Sequence, residues 1–216
     1  MKYKAALFDF DYTLGDATAS IYEGYCHGCK MMGYPKPDLE AVRRTVGYIL
    51  EDGFTMITGE ADDDKRKEFR GWFQQQVEGR QAELTKLFPG AEELLRSLHA
   101  RGLKVGIVTS KRVTTLRDIL RRFELLDLMD FTTGGEMVKR PKPDPEGLNA
   151  AIETLGVDRA VVLYCGDTTI DAATAQNAGV DFAAVLNGTT PAEDFEAYPY
   201  VHIAPDLPEL KAWLGV

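Results

Sequence analysis

The chain has 216 residues, 44% of them hydrophobic and 27% charged, near the average for soluble globular proteins. With 25 Lys and Arg against 34 Asp and Glu, the formal charge is −9, which argues against a general binder of nucleic acid or anionic membrane. A small anionic ligand stays open, provided local cations offset the field. The length suits one domain with a modest insert. The three cysteines, Cys26, Cys29 and Cys165, do not read as a disulfide framework. No secretory signal is evident, and no apolar stretch approaches the ~20 residues of a membrane span. A cytoplasmic, reducing compartment is therefore expected.

Ala5-Ala6-Leu7-Phe8 is apolar without alternation, the pattern of a strand covered on both faces. It ends abruptly in Asp9-Phe10-Asp11-Tyr12-Thr13-Leu14. A helix follows from about Ala17 to Met32, with Ile21, Tyr22, Tyr25, Cys26, Cys29 and Met32 on one stripe and Gly33 as its stop. From Asp38 to Lys86 the chain is polar and helix-forming, with no buried-strand run. Asp62-Asp63-Asp64 before Lys65-Arg66-Lys67 reads as a helix start with a solvated face. Residues 16–85 are therefore expected to form a small helical insert, and 1–15 with 86–216 the core.

After Pro89-Gly90 helices and strands alternate. Helices are expected over Ala91–Arg101, Val113–Phe123, Pro145–Leu155, Ile170–Ala178 and Leu207–Leu214. Strands are expected over Leu103–Val108, near Phe131, over Ala160–Cys165 and Asp181–Leu186, and near Val201. Such alternation implies an α/β fold, a Rossmann-like doubly wound parallel sheet.

Three of these strands end in polar residues: Asp9 and Asp11; Thr109, Ser110 and Lys111; Asp167, with Asp171 beyond. Ligands of open α/β sheets bind outside the carboxyl ends of the strands, which parallel strands place on one edge. Lys142, in what reads as a stiff extended loop between Pro141 and Pro143, is a fourth candidate. Carboxylates gathered at one point need a cation, and Mg2+ is the usual hard ion beside a phosphate. Together the groups describe phosphoryl transfer. Asp9 would attack phosphorus and Asp11 would move the proton. Thr109 would hold a phosphoryl oxygen, and Lys142 would stabilise charge on the nucleophile and phosphoryl group.

Asp9-Phe10-Asp11-Tyr12-Thr13-Leu14 resembles the DxDxT signature of the haloacid dehalogenase superfamily phosphatases. Val108-Thr109-Ser110 resembles the second motif of that family, Lys142 its third and Gly166-Asp167-Thr168-Thr169-Ile170-Asp171 its GDxxxD fourth. The insert is similar to the C1-type cap, and Thr109-Ser110-Lys111 with the Lys142 loop looks most like the phosphoglycolate phosphatase branch. The resemblance implies a Mg2+-dependent phosphatase of a small phosphorylated metabolite, acting through an aspartyl-phosphate on Asp9. It makes Asp9, Asp11 (through its backbone carbonyl), Asp167 and Asp171 the metal set. Thr13, Ser110 and Lys111 are expected substrate contacts, with a solvated helix start as the other reading of Lys111. Tyr12 departs from the glycine of many relatives and adds bulk beside Asp11; Ala17 replaces a common serine. Two rival functions remain: a sugar-phosphate phosphomutase of the same superfamily and a non-catalytic phospho-acceptor module.

Other features read as structural. Cys26-His27-Gly28-Cys29 lacks a second ligand pair for zinc, and its thiols fall on the helix stripe. His99 and His202 have no partner spacing, and Trp72-Phe73 reads as packing. Tyr12, Tyr22 and Tyr25 are candidate specificity residues.

Overall fold

In the computed structural model, which describes residues 2–216, the chain divides into two compact units. One runs up to Asp16 and resumes at Leu87–Val216; the other is Ala17–Lys86. In chain order, β1 is Ala5–Phe8 and β2 is Gly15–Asp16. Five helices follow: α1 Thr18–Met31, α2 Leu39–Arg43, α3 Leu50–Thr58, α4 Asp63–Val77 and α5 Arg80–Leu84. The alternating segment comprises β3 Lys86–Leu87, α6 Ala91–Ala100, β4 Lys104–Val108, α7 Val113–Arg122, β5 Phe131–Thr133 and α8 Glu146–Leu155. It ends with β6 Val162–Gly166, α9 Thr169–Ala178, β7 Asp181–Val185, β8 His202–Ala204 and α10 Leu207–Leu214.

Six strands form one parallel sheet in the order β5-β4-β1-β6-β7-β8. Strand β1 lies at its middle, where the chain order reverses, and all four of its residues are buried. Its unbroken apolar run is explained by helices on both faces. On one face α8 and α9 bring Leu148, Ala151, Ile152, Ala172 and Ala175 onto Ala5, Leu7 and Tyr164. Elsewhere α6 packs on β4 and α10, burying Leu94, Leu95 and Leu98. Phe8 is in register with Ile107 on β4 and Cys165 on β6. One residue further on, the three strands deliver Asp9, Val108 and Gly166 side by side, and Asp9 N–H closes the ladder on Cys165 O at 2.9 Å.

The helical unit has its own core of Tyr25, Cys29, Val42, Phe54, Phe69, Phe73 and Val77. Gly24 and Gly28 let α4 approach α1: a Cβ on either would meet the Phe73 or Phe69 ring at 2.5 or 2.6 Å. Phe54 stacks on Phe69 with ring centroids 4.2 Å apart. Asp62 caps α4 by accepting from Asp64 and Lys65 N–H, so the acidic run is a helix start.

Several expectations change in detail. Tyr25 is enclosed in the helical core beside Thr45, so it is not a residue that meets a substrate. The stretch 159–161 is a 3-10 turn before β6, and the Lys142 loop is a turn rather than extended chain. The short strands β2 and β3, which form a separate two-stranded sheet, have no apolar pattern to betray them. All three cysteines are free. Burial pushes the Cys29 thiol up to about 11, which suits packing rather than chemistry. His202 stacks on Trp213 and pairs with Glu209 at 2.7 Å, while His99 faces solvent. Among the described residues, no helix is long and apolar enough to cross a membrane.

Candidate active site

The carboxyl ends of β1, β4 and β6 converge around one ammonium group. Lys142 Nζ lies 2.9 Å from Asp9 Oδ1 and 2.6 Å from Asp171 Oδ1, and its side chain is 7% exposed. One oxygen each from Asp9, Asp167 and Asp171 lies within 4.8 Å of the others. Asp9 ends β1, Asp167 follows β6, and Asp171 sits in the first turn of α9. Thr168 and Asp171 form a reciprocal capping box at that helix start: Thr168 N–H and Oγ1–H donate to Asp171 Oδ2, and Asp171 N–H donates back to Thr168 Oγ1. With Lys142 and Tyr164 on Oδ1, both oxygens of Asp171 already have protein partners.

The turn after β1 presents the second acid. Leu14 and Gly15 N–H both donate to Phe10 O, and Tyr12 N–H donates to Gly15 O. This tight reversal puts Tyr12 at φ 61°, a conformation glycine adopts freely and other residues rarely. Tyr12 is 3% exposed, so its ring fills the interior rather than crowding an entrance. Asp11 Oδ2 pairs with Lys111 Nζ at 3.0 Å, while its Oδ1 is buried without a hydrogen-bond partner. The Lys111 side chain is 4% exposed, so it is not a solvated helix start. Thr13 is fully enclosed and its hydroxyl donates to Asp167 Oδ1 at 2.9 Å; it orients a carboxylate rather than reaching outward. Thr109 is buried at the end of β4 and accepts from Lys111 N–H at 3.3 Å, while Ser110 is half-buried beside it.

Sequence reasoning misses four participants. Asn187 donates to Thr13 O at 3.1 Å and steadies the turn that holds Asp167. Gly188 lies so close that a Cβ there would collide with Asp167 Oδ2. Glu136 accepts from Val113 N–H at 3.0 Å and thereby starts α7 just after Lys111. Tyr164, in the middle of β6, reaches Lys142 and Asp171. Of these four, only the lone tyrosine of β6 leaves a trace in sequence.

Burial pushes the Asp9 carboxyl up to about 6, against the pull of Lys142 and with the push of Asp171. Burial, then Asp171 and Asp9, hold Asp167 well above the usual carboxylate range. Burial alone would lower the Lys142 ammonium, but Asp171 and Asp9 outweigh it and raise it. Four carboxylates thus face two ammonium groups, Lys142 and Lys111. Ionised, the cluster lacks two positive charges. The buried, unpartnered Asp167 Oδ2, against which Gly188 sets no side chain, fits a hard divalent cation with oxygen ligands.

The chain is similar to proteins of known family. The profile described as haloacid dehalogenase-like hydrolase matches residues 6–185. A phosphoglycolate phosphatase of Cereibacter sphaeroides is 37% identical over 186 residues, covering 84% of each chain. An N-acetylmuramic acid 6-phosphate phosphatase of Pseudomonas putida is 33% identical over 201 residues, 90% of this chain and 87% of the relative. The crystal structure of a haloacid dehalogenase-like hydrolase from Bacteroides fragilis superposes with a TM-score of 0.93 at 38% identity, covering 96% of this chain and 99% of that one.

Proposed function

Because the chain belongs to the haloacid dehalogenase-like hydrolase family and is a phosphatase of small phosphorylated substrates, we propose that it hydrolyses a phosphomonoester through an aspartyl-phosphate on Asp9, with Mg2+. The observation that supports this best is the Lys142 ammonium held between Asp9 and Asp171, with Asp167 completing a three-carboxylate cluster. Both relatives' names pair a phosphate with an organic acid, so phosphorylated hydroxy acids head the candidate substrates. The helical unit carries the cap role, and the free thiols support a reducing, cytoplasmic setting.

Asp9 and Asp167, with the Asp11 backbone carbonyl, would hold the cation, and Asp171, whose oxygens are bonded to Lys142, Tyr164 and Thr168, would support the set directly or through water. Bound there, Mg2+ supplies charge neutralisation between the anionic nucleophile and the anionic substrate. In the first half-reaction an Asp9 oxygen bonds to phosphorus as the ester oxygen leaves. The leaving oxygen takes a proton from Asp11. In the second half-reaction Asp11 takes a proton from water, whose oxygen bonds to phosphorus. The Asp9–phosphorus bond breaks and inorganic phosphate departs. Asp11 Oδ1, free of protein partners, is the oxygen placed to carry that proton, while Lys111 holds Oδ2. Lys142 stabilises the charge that builds on the attacked phosphoryl group, and Thr109 binds one of its oxygens.

The test is a panel of phosphorylated metabolites with Mg2+ or with EDTA, scored for free phosphate and for isomerised product. Phosphate release that EDTA abolishes is expected. Isomer without phosphate would turn the assignment to a phosphomutase. A stable phosphoprotein without turnover would make it a phospho-acceptor module.

The raised Asp9 carboxyl gives a second expected result. The metal-free fold keeps a proton up to a pH of about 6 that the unfolded chain has already released. Stability of the metal-free protein therefore falls as pH rises through that interval. Mg2+ binds the ionised cluster, so its stabilisation grows in the same direction. At a hundred times Kd it contributes about 2.7 kcal/mol, roughly 5–10 °C in melting temperature for a chain this size. That shift is expected at pH 7.5 and a much smaller one at pH 5. Equal shifts at both pH values would contradict the assigned ligands.

A further inference from the structure

Resting on the phosphatase reading, we propose that Tyr164 is a positioning residue: its hydroxyl fixes the Lys142 ammonium between Asp9 and Asp171 and ties that lysine to the end of β4. The phenol lies on β6, fully buried, in register with Leu7 on β1 and Phe182 on β7. It belongs to an apolar cluster with Leu7, Val108, Leu148, Ala172 and Phe182. A phenylalanine would pack as well, and a buried hydroxyl is costly unless it is bonded. The hydroxyl therefore answers to the polar cluster rather than to the core.

Its three partners come from three separate segments. Tyr164 Oη lies 3.0 Å from Val108 O at the end of β4, 3.0 Å from Asp171 Oδ1 on α9 and 3.3 Å from Lys142 Nζ. An ammonium has three protons. Lys142 directs them at Asp9, Asp171 and Tyr164, so the phenol supplies the third acceptor. Without it, only two carboxylates hold the ammonium, and the shorter contact is to Asp171. The lysine would then be free to turn away from Asp9 and from the phosphoryl group. Val108 also leads directly into Thr109, so the same phenol links the lysine to the strand end that presents the phosphate-binding hydroxyl. The effect belongs to the transition state, where charge on the phosphoryl group and its attacking oxygen is greatest.

The decisive measurement is a double-mutant cycle on p-nitrophenyl phosphate hydrolysis by the full chain with Mg2+. Tyr164→Phe is expected to lower kcat about 10- to 100-fold with KM within about twofold. In a Lys142→Ala background the same substitution is expected to change kcat less than about twofold, because the group it acts through is gone. An unchanged kcat, or the same loss in both backgrounds, overturns the proposal. Placing 4-aminophenylalanine at 164 restores a polar group at the same point and is expected to recover kcat relative to Phe. It also serves if the Phe variant does not fold, when a loss as large as that of Lys142→Ala would count against the proposal. A readout independent of turnover is acetylation of Lys142 by acetic anhydride, followed by peptide mass spectrometry. Several-fold faster labelling in Tyr164→Phe supports the role and an unchanged rate refutes it. Wild type that hydrolyses no phosphomonoester would defeat the phosphatase reading alone, since the labelling rate would still decide whether Tyr164 holds the lysine.

Discussion

Asp9→Asn is expected to reduce phosphomonoester turnover by about a thousandfold or more, equivalent to ~4 kcal/mol or more of transition-state stabilisation. The substitution is nearly isosteric. An asparagine carbonyl still accepts from Lys142, so the local geometry persists. What disappears is the anionic oxygen that bonds to phosphorus, and an amide is no substitute nucleophile. Stability is expected to move the other way. Asp9 is a buried carboxyl whose neighbours Asp171 and Asp11 push it toward the protonated form. Removing its charge relieves that repulsion, so the metal-free variant should melt no lower than wild type at pH 7.5. Rapid quenching with a radiolabelled substrate provides the chemical check: wild type should yield an acid-stable phosphoprotein and Asp9→Asn none. An Asp9→Asn enzyme within tenfold of wild type would exclude the covalent route, even if every other contact in the cluster were undisturbed.

This site is legible in sequence to the extent that strand ends are legible. An apolar run such as Ala5–Phe8 or Val162–Cys165 announces a covered parallel strand, and the first polar residue after it must emerge at the sheet edge. Asp9, Thr109 and Asp167 are placed by that rule alone, whereas the loop of Lys142 reads as extended chain and proves to be a turn. Contacts that depend on strand order escape it. Tyr164 reaches Lys142 and Val108 only because β6 lies two strands from β4 across β1. Asn187 steadies Thr13 across 174 positions of sequence, and Gly188 is required by its closeness to a carboxylate rather than by a turn of its own. The fate of Thr13 and Lys111 was equally hidden. A hydroxyl and an ammonium near a phosphate site read as substrate contacts until the structure shows their partners, Asp167 and Asp11. Tyr25 misleads for a related reason. Helical spacing puts it on a stripe, and the stripe says that one face is buried, not which tyrosine sits deepest.

Lys142→Met is expected to cost both activity and stability, and the pH dependence of the second separates its causes. Methionine keeps much of the aliphatic stem while removing the charge. Asp9 and Asp171 then face each other with no cation between them in a pocket closed to solvent. Breaking a buried pair in this way costs about 3–5 kcal/mol, or roughly 6–20 °C in the melting temperature of the metal-free protein. The penalty depends on both carboxylates being ionised. Lys142 pulls the Asp9 carboxyl down from where burial would otherwise hold it, so in the variant Asp9 takes up its proton at a pH above 6. At pH 5 the pair carries at most one charge, and the variant should lie much closer to wild type than at pH 7.5. Turnover should fall about 100- to 1,000-fold at saturating Mg2+, the range seen when one donor to a developing anion is removed, and it should not recover at low pH. A pH-independent stability loss would mean that packing of the stem, not the buried ammonium, is what the fold misses. It would also remove the electrostatic reason for placing Lys142 at the centre of the reaction.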